Sequence, residues 1–177
     1  MQWLVFATIV LVAFQNSLGA TQVSSDDVPD SFWLFEQFPR VVAISDSDND
    51  TIFECMGATR ISYSKEPKSA DYMWLLHGYH GDPKDTLTFH FTEGSSPDTF
   101  LFKEGSGNDA PVVGKFCYAD NKVCGVMDLP YRGRQCILWV AKGKEDAVPQ
   151  DCLRRFSTCC DIATPKYSKG MCKNENA

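Results

Sequence analysis

Histidine is scarce in this chain: three residues, His77, His80 and His90, lie far from most of its eight cysteines. No Cys-x2-Cys pair occurs, so the spacing that builds a structural zinc site is missing. The chain also lacks a Gly-x-Ser-x-Gly elbow, a zincin helix and a phosphate-cradling glycine loop, which removes the commonest catalytic signatures. His77 and His80, in Leu-His-Gly-Tyr-His, read as a pair at a strand end rather than as metal ligands. We therefore expect no enzyme, no cofactor and no bound metal. Basic residues are scattered, and 17 Lys and Arg against 23 Asp and Glu leave a formal charge of −6. Nucleic acid and a membrane surface are poor partners for such a chain. Beyond the first residues no apolar run is long enough to span a bilayer as a helix, and no internal repeat is found.

What is present begins with an uncharged apolar run from Trp3 to Phe14, followed by the small residues Ser17 and Gly19. Its length suits the hydrophobic core of an export signal and is too short for a spanning helix. We expect a signal peptide over 1–19, cleaved after Gly19 with Ala20 as the alternative, and a secreted protein. Some 158 residues then remain, about one domain with a real core. Residues 20–30 are polar and acidic and read as a flexible N-terminal arm. In an exported chain, the cysteines Cys55, Cys117, Cys124, Cys136, Cys152, Cys159, Cys160 and Cys172 predict four disulfides. Eight cysteines allow roughly a hundred pairings, so their number does not give the connectivity. Asn49-Asp50-Thr51 is a glycosylation sequon, and Asn49 is expected to carry a glycan.

The main body reads as short strands. Asp30 or Ser31 caps a short helix carrying Phe32, Trp33, Phe35 and Phe38, which Pro39 stops. β-like runs follow at Arg40–Ser45, Thr51–Tyr63, Ala70–Tyr79, Thr86–Thr92, Thr99–Lys103, Val112–Ala119, Lys122–Leu129 and Gln135–Ala141. Breaks such as Gly81-Asp82-Pro83, Gly94-Ser95-Ser96-Pro97 and Pro130 are what antiparallel neighbours need. Eight strands at this spacing predict a sandwich or an up-and-down barrel. Alternation is clearest at Leu87, Phe89 and Phe91, which share a face, while His90 falls on the polar one. From Val148-Pro149 the pattern turns helical, with Cys152, Leu153 and Phe156 on one side. Twelve Phe, six Tyr and four Trp supply both ordinary packing and the means to line an apolar cavity.

From its second half onward the sequence resembles the tick salivary lipocalins, the histamine-binding-like family. The resemblance lies in Cys136-Ile-Leu-Trp-Val140, in Val148-Pro149-Gln-Asp-Cys152-Leu-Arg-Arg-Phe156 and in the final Cys172. Upstream, Phe53-Glu-Cys55-Met-Gly57 looks like the family's second-strand cysteine segment, and Trp33 fits its N-terminal helix. This implies an all-β protein with minor α: an eight-stranded antiparallel up-and-down lipocalin barrel over 31–177, a short N-terminal helix, and a C-terminal helix packed outside. It also implies disulfides Cys55–Cys172 and Cys124–Cys152. Cys159 and Cys160, being adjacent, are expected to take separate partners from Cys117 and Cys136, in an order left open.

The departures from the family bear on function. Amine-binding members carry an acid after the seventh-strand cysteine and another before the Leu-Trp of the eighth strand. Here those positions are Gly125 and Ile137, and a buried ammonium without a counter-ion is strongly disfavoured. The resemblance thus points to a sterol such as cholesterol, a fatty acid or an eicosanoid, as in the sterol-binding, immune-modulating members of the japanin type. Candidate barrel contacts are Trp33, Leu87, Phe89, Phe91, Gly125, Met127, Ile137 and Trp139. The expected protein is a monomer in saliva that modulates host immune or inflammatory responses. The competing expectations are scavenging of histamine or serotonin, and surface binding of a host immune-cell receptor or complement protein.

Overall fold

The computed structural model describes residues 28–47, 53–76, 85–105, 109–120, 122–161, 163–168 and 172. The signal segment 1–19, most of the arm, Asn49, His77 and His80 lie outside the described residues. Helix α1 spans Ser31–Gln37. Strands β1 (Arg40–Asp46), β2 (Gly57–Lys65), β3 (Lys68–Leu76), β4 (Asp85–Glu93), β5 (Thr99–Glu104), β6 (Val112–Ala119), β7 (Cys124–Leu129) and β8 (Gln135–Ala141) follow. Helix α2 covers Gln150–Cys159, and a two-residue strand β9 (Thr164–Pro165) adds to β1. The eight main strands pair antiparallel in chain order, and β1 bonds to both β8 and β2. That double pairing closes the barrel and removes its free edges, the usual solution for an all-β chain of this kind. Among the described residues no helix is long and apolar enough to cross a membrane.

Alternation places Tyr72, Trp74, Phe89, Phe91, Phe100, Phe102 and Phe116 inside, where all are nearly inaccessible to solvent. Large and small side chains alternate between neighbouring strands. Trp74 pairs with Ala58, Phe100 with Gly114, and Trp139 with both Ala43 and Gly125. A narrow barrel can hold two indoles and a row of phenylalanines only if their cross-strand partners stay small. At Gly114 the requirement is strict, because a Cβ there would run into the Phe100 ring.

Strands β7 and β8 depart from alternation and are buried on both faces. Their outward residues Cys124, Val126, Cys136, Leu138 and Val140 form a second core with Cys152 and Phe156 of α2. Disulfides Cys124–Cys152, Cys117–Cys159 and Cys136–Cys160 bind α2 and the residue after it to β7, β6 and β8 in turn. This settles the order left open by the sequence. A fourth bridge, Cys55–Cys172, ties the tail to the segment before β2.

Several boundaries differ from expectation. The second strand begins at Gly57 rather than Thr51, because Phe53–Cys55 form a turn in which Cys55 has φ 54°. β3 starts earlier than expected, at Lys68. β7 begins at Cys124, since the Asp120 carboxylate accepts from Lys122 N and Val123 N and turns the chain there. Pro149 caps α2 instead of sitting in its first turn. At α1 the cap is Asp30, whose carboxylate accepts from Phe32 N and Trp33 N, whereas Ser31 lies within the helix.

Candidate functional site

Helix α1 plugs one end of the barrel. Its first residue is pinned to the β4–β5 connection by the backbone N–H and hydroxyl of Ser31, each 2.8 Å from Pro97 O. At its other end the Tyr72 hydroxyl lies 3.0 Å from Phe35 O and 2.8 Å from Phe38 O. The Arg60 guanidinium donates to Phe35 O and Glu36 O, and Lys65 pairs with Glu36 at 2.7 Å. These donors satisfy carbonyls that the helix end leaves open. Burial pushes the Tyr72 phenol well above its ordinary range, against the opposing charge and hydrogen bond of Arg60. Tyr72 is therefore a neutral anchor of the plug.

The plug delivers Phe35 to the centre of the barrel. Its ring lies 4.8 Å from Phe91, 5.6 Å from Phe100, 5.6 Å from Phe116 and 5.7 Å from Tyr72, in tilted or edge arrangements. A second aromatic group closes the interior toward the opposite end. Tyr131, from the β7–β8 turn, lies 5.1 Å from Phe89 and 6.4 Å from Phe53, and Trp74 lies 4.4 Å from Phe89. The Tyr131 hydroxyl donates to Glu104 at 2.9 Å. Burial, then the hydrogen bond and charge of Glu104, push that phenol up to about 12.

A cavity of about 40 Å³ remains in the interior. Leu34, Phe35 and Phe38 of α1 line it, with Val41, Ala58, Tyr72, Trp74, Phe91, Phe116, Gly125, Met127 and Trp139 from the strands. No lining side chain carries a charge. At Gly125 a Cβ would rest 3.4 Å from the Phe116 ring, an ordinary contact, so glycine contributes open space there rather than relief from a clash. Trp139 is 4% exposed, and its Nε1–H has no hydrogen-bond partner among the described residues. An unpaired buried donor costs about 1–3 kcal/mol.

The structure brings Phe91, Gly125, Met127 and Trp139 together at this cavity. Phe89 and Ile137 are fully buried barrel residues that do not line it, while Trp33 and Leu87 are partly buried at the margin of the same core. Residues that strand reasoning missed are Tyr72 and Trp74, whose i, i+2 spacing in β3 was a usable signal, and the helical face Leu34, Phe35 and Phe38. His90 sits on the barrel's outer surface with Nδ1 2.6 Å from Asp71 Oδ1, and the Ser62 hydroxyl donates to the other Asp71 oxygen. The hydroxyl is given to the carboxylate and not to the imidazole, so these three residues form no nucleophile–base pair. Among the described residues no cluster of three or more His, Cys, Asp or Glu is placed to hold a metal.

Among the solved structures that share the fold are two ligand complexes. A serotonin complex of AM182 superposes with a TM-score of 0.61 at 16% identity, covering 79% of this chain and 90% of that one. Japanin from Rhipicephalus appendiculatus bound to cholesterol superposes with a TM-score of 0.54 at 13% identity, covering 72% of this chain and 91% of that one. No curated protein matches the sequence. The family model described as tick histamine binding protein matches residues 41–174, from the first barrel strand through the α2 cysteines to Cys172. With that span matched and a closed eight-stranded barrel carrying its helix outside, the chain belongs to the tick histamine-binding protein family of lipocalins.

Proposed function

We propose that this protein is a secreted salivary lipocalin that binds a small, uncharged, largely apolar ligand inside its barrel and modulates host immune or inflammatory responses. In this reading residues 1–19 are removed on export, 20–30 form an arm, 31–177 form the binding domain, and the protein is a monomer. The observation that carries it is the uncharged lining of the interior cavity, with Gly125 where amine-binding members hold an acid. An ammonium moved into such a site loses its hydration and meets no counter-ion. Of the two ligands seen on similar folds, serotonin and cholesterol, the lining favours the chemistry of the second.

Size constrains the proposal. About 40 Å³ has room for a few heavy atoms only, so a sterol, fatty acid or eicosanoid requires Phe35 and α1 to move outward. The plug is suited to that movement. Among the described residues, hydrogen bonds, one ion pair and ring contacts hold it, and no disulfide joins it to the barrel.

Native mass spectrometry of protein secreted from eukaryotic cells, followed by organic extraction, tests the reading. The expected result is a bound hydrophobic species, together with no heat of binding for histamine or serotonin. Micromolar or tighter binding of either amine overturns it.

A further inference from the structure

We propose that the barrel ligand carries a hydrogen-bond acceptor, a carbonyl, ether or hydroxyl oxygen, set against the indole Nε1–H of Trp139. This rests on the barrel-ligand reading above and narrows its ligand class from apolar to apolar with one acceptor.

Among the described residues, Trp139 is the one cavity-lining residue with a side-chain polar atom, Nε1, that is both buried and without a hydrogen-bond partner. The indole is also locked in place. Its cross-strand neighbours Ala43 and Gly125 offer no side-chain oxygen, and Trp74 stands edge-on at 5.3 Å. The hydroxyl of Tyr72, another lining residue, is already engaged by Phe35 O, Phe38 O and Arg60. A ligand oxygen satisfies the indole while its hydrocarbon fills the remaining lining. A pure hydrocarbon leaves the donor unpaired, and a site with an unpaired buried polar group discriminates strongly against the analogue that lacks the matching group. The main competitor for the proton is the π face of Trp74, a weaker acceptor than an oxygen.

The test compares 2-nonanone with nonane on the full secreted protein. The ketone is expected to bind about tenfold more tightly than the alkane, and Trp139→Phe, which keeps the aromatic bulk, is expected to remove most of that preference. In wild-type protein carrying 15N-tryptophan, 2-nonanone should move one indole N–H resonance downfield and nonane should not, a readout independent of whether the variant folds. If neither probe binds, the barrel-ligand reading falls and this inference with it. If both bind equally, or if all indole resonances stay in place as the ketone binds, this inference alone falls and the apolar pocket stands.

Discussion

The two cores of this barrel are held by different means. Inside, rings from α1, β3 to β6 and β8 fill the lumen, with Phe35 at their centre, and no disulfide crosses it. Outside, between β6, β7, β8 and α2, a smaller core is stapled by three disulfides. A core that must admit a ligand is best held by contacts that break and reform, whereas α2 has no such duty. Each α2 disulfide closes a chain loop, which limits the unfolded ensemble and fastens a ten-residue helix whose buried face is small. The difference separates an interior held by noncovalent contacts from a wall held by disulfides.

The strongest way to break the comparison is Phe35→Ala. It removes the ring at the centre of the inner core and should lower stability by about 3–5 kcal/mol in urea unfolding. The enlarged interior should bind 1-octanol and recover part of that loss, so a variant that 1-octanol leaves unstabilised would show that the lumen is not accessible. Next in size is the paired variant Cys124→Ser with Cys152→Ser. Its cost should be about 2–4 kcal/mol, and its affinity for barrel ligands should match wild type, because both cysteines face away from the lumen. A large loss of ligand affinity in this variant would mean that the wall and the interior act together.

The smallest effect is expected on the outer surface of β2 to β4. Burial alone would raise the Asp71 carboxyl, but the hydrogen bonds from Ser62 and His90 and the charge of His90 outweigh it and leave it below its ordinary value. The native state therefore binds this proton more weakly than the unfolded chain. Its stabilising contribution is complete above the ordinary carboxylate value of 3.8 and disappears as pH falls through the lower native value. Asp71→Asn should cost no more than about 1 kcal/mol at neutral pH, and the difference from wild type should vanish in acid. An unchanged gap between the two at low pH would refute this assignment.

Much of the architecture was legible because its signals are local. Asp30 before an apolar helical run, the alternation of Leu87, Phe89 and Phe91, and glycine and proline at the turns each act over a few residues. The segment at 51–56 misled because Phe53 and Met56 are apolar and fully buried although they belong to a turn and not to a strand. Phe89 and Ile137 lie in the inner core, as expected of barrel-interior residues, but away from the present cavity. Inward direction follows from strand parity, but depth along the barrel does not.

Residue number and type led to the expectation that eight cysteines pair, and a period of two gave the strands one oily face. That Gly125 and Ile137 stand where amine-binding relatives carry acids is what the resemblance to the family implies. Only the tertiary structure decided that Cys117 joins Cys159 and Cys136 joins Cys160, that Leu34, Phe35 and Phe38 line the cavity, and that the Trp139 donor is left without a partner among the described residues. Each of these depends on which residues of distant strands reach the same height, and that is set by the stagger of the closed barrel, which no single strand encodes.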